Sequence, residues 1–320
     1  MFRYLVKRVA HAAFVVWAVA TTVFFGLRAI PGDPVRQALG IRAPDASVRA
    51  VREQLGLNKP LYVQYVDWLV DIATLNLGRS IVESQEIVLM LQRSAPRTLS
   101  IGAVAILLGL LVSVPAGVIS ATNKNRLPDY VATVLAFLGI SMPAFFIGIL
   151  LIVVFGVWLE LLPVFGYTPL SEGVVPWFES ILLPAVSVGL PYAAIVTRMM
   201  RSALIEELNS QYMRTARAKG VAPRVSLYKH AVQNAMIPVV TVAGIQVAIV
   251  LVGSVTVEVV FGIRGMGRLL VQSMLNHDYP VVQAVILLVA VVMVTLNLLV
   301  DLSYTLIDPR VRYDGASADT

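Results

Sequence analysis

The sequence predicts an all-α integral membrane protein with six transmembrane helices and a small external domain between the first two. Of its 320 residues 58% are hydrophobic and only 14% charged, the balance of a chain whose solvent is mostly lipid. Apolar runs at 9–27, 101–121, 131–158, 181–197, 237–257 and 281–300 are each long enough for a hydrocarbon core of about 30 Å, which takes about 20 residues. The lysines and arginines cluster at the ends of these runs, where they set orientation.

The first run follows Arg3, Lys7 and Arg8. A cleaved signal peptide is the alternative there, with Ala18 and Ala20 as small residues, but the run continues through Phe24 and Phe25 and is long for a signal core. The second and third runs contain Pro115 and Pro143. The fourth is the weakest, carrying Pro184, Gly189 and Pro191, so a kinked or tilted helix is expected whose freed backbone groups are satisfied by neighbouring helices. Lys124 and Arg126 lie between the second and third runs, and seven Lys or Arg fall between Arg198 and Lys229. Both termini are therefore expected in the cytoplasm. Residues 160–180 contain no Lys or Arg, as suits an external loop. Residues 28–97 carry nine basic residues yet fall outside; long segments translocate largely regardless of charge. In that segment 48–55 and 62–72 show helical periodicity, with breaks at Asn58, Pro60 and Gly78. The chain divides into a basic start and first span (1–30), an external domain (31–97), a five-helix core (98–306) with a cytoplasmic loop at 200–236, and a tail (307–320).

The formal net charge of +6 is spread over span ends rather than gathered in a stripe, so nucleic acid is not an expected partner. The absence of cysteine excludes disulfides and thiolate chemistry, and His11, His230 and His277 show no ligand spacing, so no metal site is expected. No lysine is followed by Ser or Thr, which removes the phosphate-cradling loop, and no zinc-helix, dinucleotide-turn or nucleophile-elbow motif is present. No catalytic residue is assigned.

Ionisable residues inside a membrane mark ion or proton pathways. The uncharged run 237–257 spans about 31 Å of helix, which puts Glu258 at the outer interface, and Asp301 falls similarly at the inner one. Glu258 reads either as a structural partner of a loop backbone or of Arg264, or as part of an external gate. Ser113, Thr133, Ser141, Ser187, Gln246, Ser254, Thr256 and Asn297 are the polar residues within the spans, and each is either a pathway residue or an ordinary helix-packing contact.

The most informative segment is YMRTARAKG (212–220), a short basic helix candidate between two long apolar runs. Asn209 or Ser210 can cap its start, Gly220 can close it in the left-handed conformation, and Pro223 prevents it from resuming. Tyr212, Thr215, Ala216 and Lys219 share one face, whose small residues allow a partner backbone to approach. A solvated loop that merely fixes topology is the plainer reading.

With PGDP (31–34), LGLNKPLYVQYVDWL (55–69), LGRS (77–80), SMPAFFIG (141–148), YMRTARAKG, VEVVFGIRGMG (257–267), HDYP (277–280) and DPRVRY (308–313), nearly the whole chain resembles the permease subunits of ATP-binding-cassette (ABC) importers, in the dipeptide and oligopeptide family. The resemblance implies a type I importer permease in the inner or plasma membrane. Its partners would be a second homologous permease, two ATPase subunits and an external solute-binding protein, with ATP and Mg on the ATPases and no cofactor on this chain. It implies ATPase coupling through Gln211, Tyr212, Arg214, Thr215, Ala216, Arg217, Lys219 and Gly220. The general pattern for that loop is Glu-Ala-Ala, three residues, then Gly; here Arg214 and Thr215 replace its first two residues, and Pro238 lies eighteen residues after the glycine. Candidates for the solute pathway or its gate are Ser141, Met142, Pro143, Gln246, Glu258 and Asn297. A transporter or channel acting without ATPases, and a non-transporting receptor or assembly factor, are the competing readings.

Overall fold

The computed structural model describes residues 2–40 and 43–307, and among them it is helical, with an isolated antiparallel bridge between Arg79 and Glu86. Two compact units are present, residues 2–97 with 264–295, and residues 98–263 with 296–307. The DPRVRY motif and the tail lie outside the described residues, as does the side chain of Asp301.

The first unit contains α1 (Phe2–Arg28), α2 (Pro34–Leu39), α3 (Asp45–Gln54) and α4 (Leu61–Ala73). Helices α3 and α4 match the periodicity read from the sequence. Helix α2 was not expected; Asp33 caps it by accepting from the Val35 amide at 3.2 Å, and Pro34 stands at its first position. Phe24, fully buried on α1, meets Tyr65 and Trp68 of α4 at ring-centroid distances of 5.2 Å, and the Thr21 hydroxyl lies 2.7 Å from the Tyr65 hydroxyl. The Arg28 guanidinium stacks 3.5 Å from the centre of Phe24 and donates to Gln64. These contacts fasten α4 to the last turns of α1.

The same unit holds the start of α5 (Ile87–Thr122), α12 (Met266–Leu275) and the first part of α13 (Tyr279–Ile307), packed around Ile87, Leu91, Met266, Val281 and Val285. Here two motifs far apart in sequence meet. Asp278 of HDYP, 2% exposed, accepts from the Ser80 hydroxyl of LGRS at 2.5 Å and from the Ile81 amide at 3.2 Å. His277 ends α12 in the left-handed region (φ 57°), which turns Asp278 toward that loop. Asp278→Ala leaves the Ser80 hydroxyl and the loop amide unsatisfied and is expected to destabilise the unit by about 2 kcal/mol. Limited proteolysis is the check: faster cleavage within 79–86 is expected, and an unchanged rate contradicts the assignment.

The second unit is built on α8 (Val174–Asn209). The helix extends well beyond the fourth apolar run: α8 is one continuous helix of 36 residues with Pro184 and Pro191 inside it. At about 1.5 Å per residue it is about 54 Å long, well beyond a hydrocarbon core. Its burial explains why it tolerates the prolines, because Ile181, Ala185, Val196, Met200 and Leu204 are fully enclosed by neighbouring helices. Small residues bring α5 against it. A Cβ added at Gly189 would stand 2.9 Å from the Ala105 carbonyl oxygen, and one at Gly109 would stand 2.5 Å from the Tyr192 ring.

The third run, read as a single span over 131–158, is divided into α6 (Leu127–Ser141), α7 (Ala144–Leu151) and a π-helical continuation Ile152–Trp158, with the two halves bent by 106°. The cause is local. Pro143 has no amide to donate and forces Met142 to an extended conformation (φ −96°, ψ 129°). Among the described residues five helices are long and apolar enough to cross a membrane, and the bent pair supplies a sixth span when counted as one. The unit continues with a 3₁₀ turn Leu170–Glu172 ahead of α8. After α8 come α9 (Gln211–Ala218), a single turn α10 (Pro223–Val225), a π-helical segment Ser226–Val232 and α11 (Gln233–Val260). Phe14, Leu107, Leu111, Leu135 and Ile245 are exposed, the distribution of a chain surrounded by hydrocarbon.

Candidate functional site

The segment 211–220 folds as expected, into the short helix α9. Its ending follows the sequence reading closely: Gly220 takes φ 75°, its amide reaches the Arg217 carbonyl at 3.0 Å, and the Val221 amide reaches the Ala216 carbonyl at 3.1 Å. This paired closure needs a left-handed residue, which glycine supplies without a Cβ clash. The start differs. Ser210 occupies the cap position, but its hydroxyl donates back to the Glu207 carbonyl at 2.6 Å, and the Asn209 amide donates to the Ile205 carbonyl at 2.8 Å. Both side chains terminate α8 instead of capping α9.

Two side chains hold α9 in place. Met213, 1% exposed, is its buried anchor and belongs to the apolar core together with Leu204, Ala231 and Ala235. Tyr212 is the polar brace: its hydroxyl donates to the Glu207 carboxylate at 2.5 Å and accepts from the Asn234 amide at 3.1 Å, so one phenol joins the end of α8, α9 and the start of α11. Partial burial, and then the bond to the Glu207 carboxylate, push the Tyr212 hydroxyl above its ordinary value of 10.0, so it stays a neutral donor at neutral pH. The sequence reading passed over Met213, although a long apolar side chain in a polar helix is the signal of such an anchor. Asn234 gave no such signal, because it lies 22 residues away on the far side of a turn.

With Met213 turned inward, Gln211, Arg214, Thr215, Arg217 and Lys219 are exposed, Tyr212 is 39% exposed and Ala216 is half-buried. The helix therefore presents cationic and small side chains outward. No group of three or more His, Cys, Asp or Glu able to hold a metal ion exists among the described residues.

The pathway candidates differ in burial. Ser141 and Pro143 are exposed at the bend between α6 and α7, with Met142 half-buried between them. Asn297 is exposed on α13. Gln246, partly buried on α11, has its side-chain oxygen enclosed and without a hydrogen-bond partner. Glu258 is fully buried near the end of α11 and accepts from the Thr98 hydroxyl at 2.5 Å. That burial was not legible in the length count, which placed Glu258 by distance along the helix and could not see what packs beside it.

Residues 113–313 match the binding-protein-dependent transport system inner membrane component family, and residues 1–103 match the N-terminal domain of the same class of membrane component. Similar proteins align over almost their full length. A probable peptide ABC transporter permease, y4tP, of Sinorhizobium fredii is 40% identical over 97% of this chain and 99% of its own. A putative peptide transport system permease of Brucella abortus is 38% identical over the same shares. The glutathione transport system permease GsiC of Escherichia coli is 38% identical over 98% of this chain and 100% of its own. With these matches and its membrane-crossing helices, the chain belongs to the inner membrane components of binding-protein-dependent transport systems, as a multi-pass ABC importer permease.

Proposed function

We propose that this permease carries short peptides inward, and that α9 is the contact through which partner ATPases drive it. The observation that bears most on this is the construction of α9: a short, sharply ended helix, anchored by one buried methionine and one shared phenol, with its cationic and small residues left outward. A helix made in this way moves as a rigid piece, and a rigid piece passes displacement to α8 and α11 rather than absorbing it. The pathway lies between this subunit and a second, homologous permease, with Ser141, Met142, Pro143, Gln246, Glu258 and Asn297 as candidate lining or gate residues. ATP and Mg are held by the ATPases, and this chain carries no cofactor. The external segment 31–97, braced by Arg52–Asp33 and Lys59–Asp67 ion pairs of 2.7 and 2.6 Å, receives the solute-binding protein. Peptides as cargo are supported by the two relatives named as peptide permeases and by the one named for glutathione.

The test is reconstitution. A tagged chain extracted in mild detergent is expected to bring down two kinds of partner, the ATPases and a second permease. Proteoliposomes of that complex, given the binding protein and ATP, are expected to accumulate a labelled dipeptide or tripeptide. The chain alone is expected to move none. Accumulation by the chain alone along an ion gradient would overturn the proposal.

A further inference from the structure

Asp129 is a carboxylate with all its bonding positions taken. It sits in the first turn of α6 at 2% exposure and receives four donors from three directions. Arg201 of α8 binds it as a fork, Nε to Oδ1 at 2.6 Å and Nη2 to Oδ2 at 2.8 Å. Ser120, in the last turn of α5, donates to Oδ1 at 2.5 Å, and the amide of Asn125, a left-handed residue (φ 61°) in the α5–α6 turn, donates to Oδ2 at 2.9 Å. A parallel fork is the strongest and most directional pairing available to a carboxylate, and the two further donors fix the carboxylate plane.

The position of this cluster along α8 gives it meaning. Up to Arg201, α8 is tied sideways to α5 and α6. Gly189 meets Ala105, the Met200 side chain and the Thr197 carbonyl cover Gly117, Gly139 meets Ala194 and the Leu190 carbonyl, and Arg198 lies over the Phe137 ring at 5.0 Å. Helix α11 packs along α8 on both sides of this point, with Gly253 against Val188 and with Ala235 in the core that holds Leu204 and Met213. Past it, Glu207 takes the Tyr212 hydroxyl and so ties the end of α8 to α9. Arg201 thus joins α8 to the α5–α6 turn about two helical turns before α8 ends at Asn209. For cohesion alone an apolar pair would serve as well. A directional fork this near the junction with α9 also fixes an angle.

We infer that the Asp129–Arg201 fork, seated by Ser120 and Asn125, is the positioning joint that passes displacement of α9 into the α5–α6 hairpin, so that ATP-driven motion reaches helices α9 does not touch. This rests on the reading of α9 as the ATPase contact. Arg201 and Asp129 act through α8 and α6; neither needs to meet solute or nucleotide.

The experiment uses the complete complex in proteoliposomes with its binding protein, and reads peptide accumulated per ATP hydrolysed together with the melting temperature in detergent. Arg201→Lys keeps the charge but cannot form the fork. It is expected to lower transport per ATP about fivefold while ATP hydrolysis continues, which a loss of stability alone would not do, since misfolded complex lowers both rates together. Ser120→Ala, which removes one donor and keeps the ion pair, is expected to lower the ratio by about twofold and decides the matter if the lysine variant does not assemble. A ratio equal to wild type in the assembled variants overturns the inference, whatever happens to yield or melting temperature. A wild-type complex that accumulates no peptide with ATP brings down the reading of α9 and this inference with it; a working wild type with equally coupled variants brings down the inference alone.

Discussion

Ala216→Glu is expected to abolish ATP-driven uptake by the assembled transporter while leaving the subunit in the membrane at its normal level. Ala216 is half-buried on α9, and its carbonyl takes part in the closing turn through the Val221 amide, so the backbone contribution survives substitution. Glutamate is also a good helix former, and α9 should persist. What changes is the surface offered to a partner. A bulky anion at a close contact, left without a counter-charge when water is excluded, costs roughly 2–5 kcal/mol, at least about tenfold in docking affinity. Uptake should therefore fall at least about tenfold while ATPase subunits hydrolyse ATP at their unstimulated rate. Gly220→Ala is the companion variant, because it strains the left-handed position by about 1 kcal/mol while adding a Cβ that meets nothing within 4 Å. If α9 acts by its surface, the glutamate variant fails and the alanine variant keeps most of its uptake. Unchanged uptake and solute-stimulated ATPase activity in Ala216→Glu would refute the assignment.

Gly189→Leu is expected to prevent the second unit from folding, through a wholly different cause. The added Cβ would stand 2.9 Å from the Ala105 carbonyl oxygen and 3.4 Å from its Cα, both backbone atoms of α5 that no rotamer change can move. The helices must separate, opening the packing that lets α8 carry two prolines, and overpacking of this kind costs about 3 kcal/mol. Yield after detergent extraction and the melting temperature are the readouts, and both should fall sharply. Gly26→Leu on α1 is the control, since no atom lies within 4 Å of its Cβ position. A Gly189→Leu protein that melted like wild type would mean that α5 and α8 do not approach this closely.

Much of this architecture is written in local chemistry. Gly220 and Pro223 announced the end of α9, and the apolar runs fell inside the membrane helices, because a requirement for about 20 apolar residues leaves a strong imprint. Their ends were less legible: α5 is Ile87–Thr122 where the run was 101–121, and α8 is Val174–Asn209 where the run was 181–197. Contacts between distant segments left no such imprint. Nothing in the sequence around Asp129 named its partner Arg201, 72 positions away. Ser80 and Asp278 each lay in a recognisable motif, but nothing in either motif named the other. The prolines differ in effect. Pro184 and Pro191 lie within a continuous helix, whereas Pro143 produces a bend of 106°. Their surroundings differ too, since Pro184 is buried and Pro191 half-buried while Pro143 is exposed.

That last bend has a consequence for what must surround it. Helix α6 rises only about 22 Å over its 15 residues before it stops, less than a full hydrocarbon crossing. The peptide groups of an interrupted helix cannot face acyl chains, which offer them no partner, and non-helical backbone persists inside the hydrocarbon layer only beside other protein or beside water. With its two halves counted as one span, the exposed Ser141 and Pro143 need such a neighbour, another polypeptide surface or water.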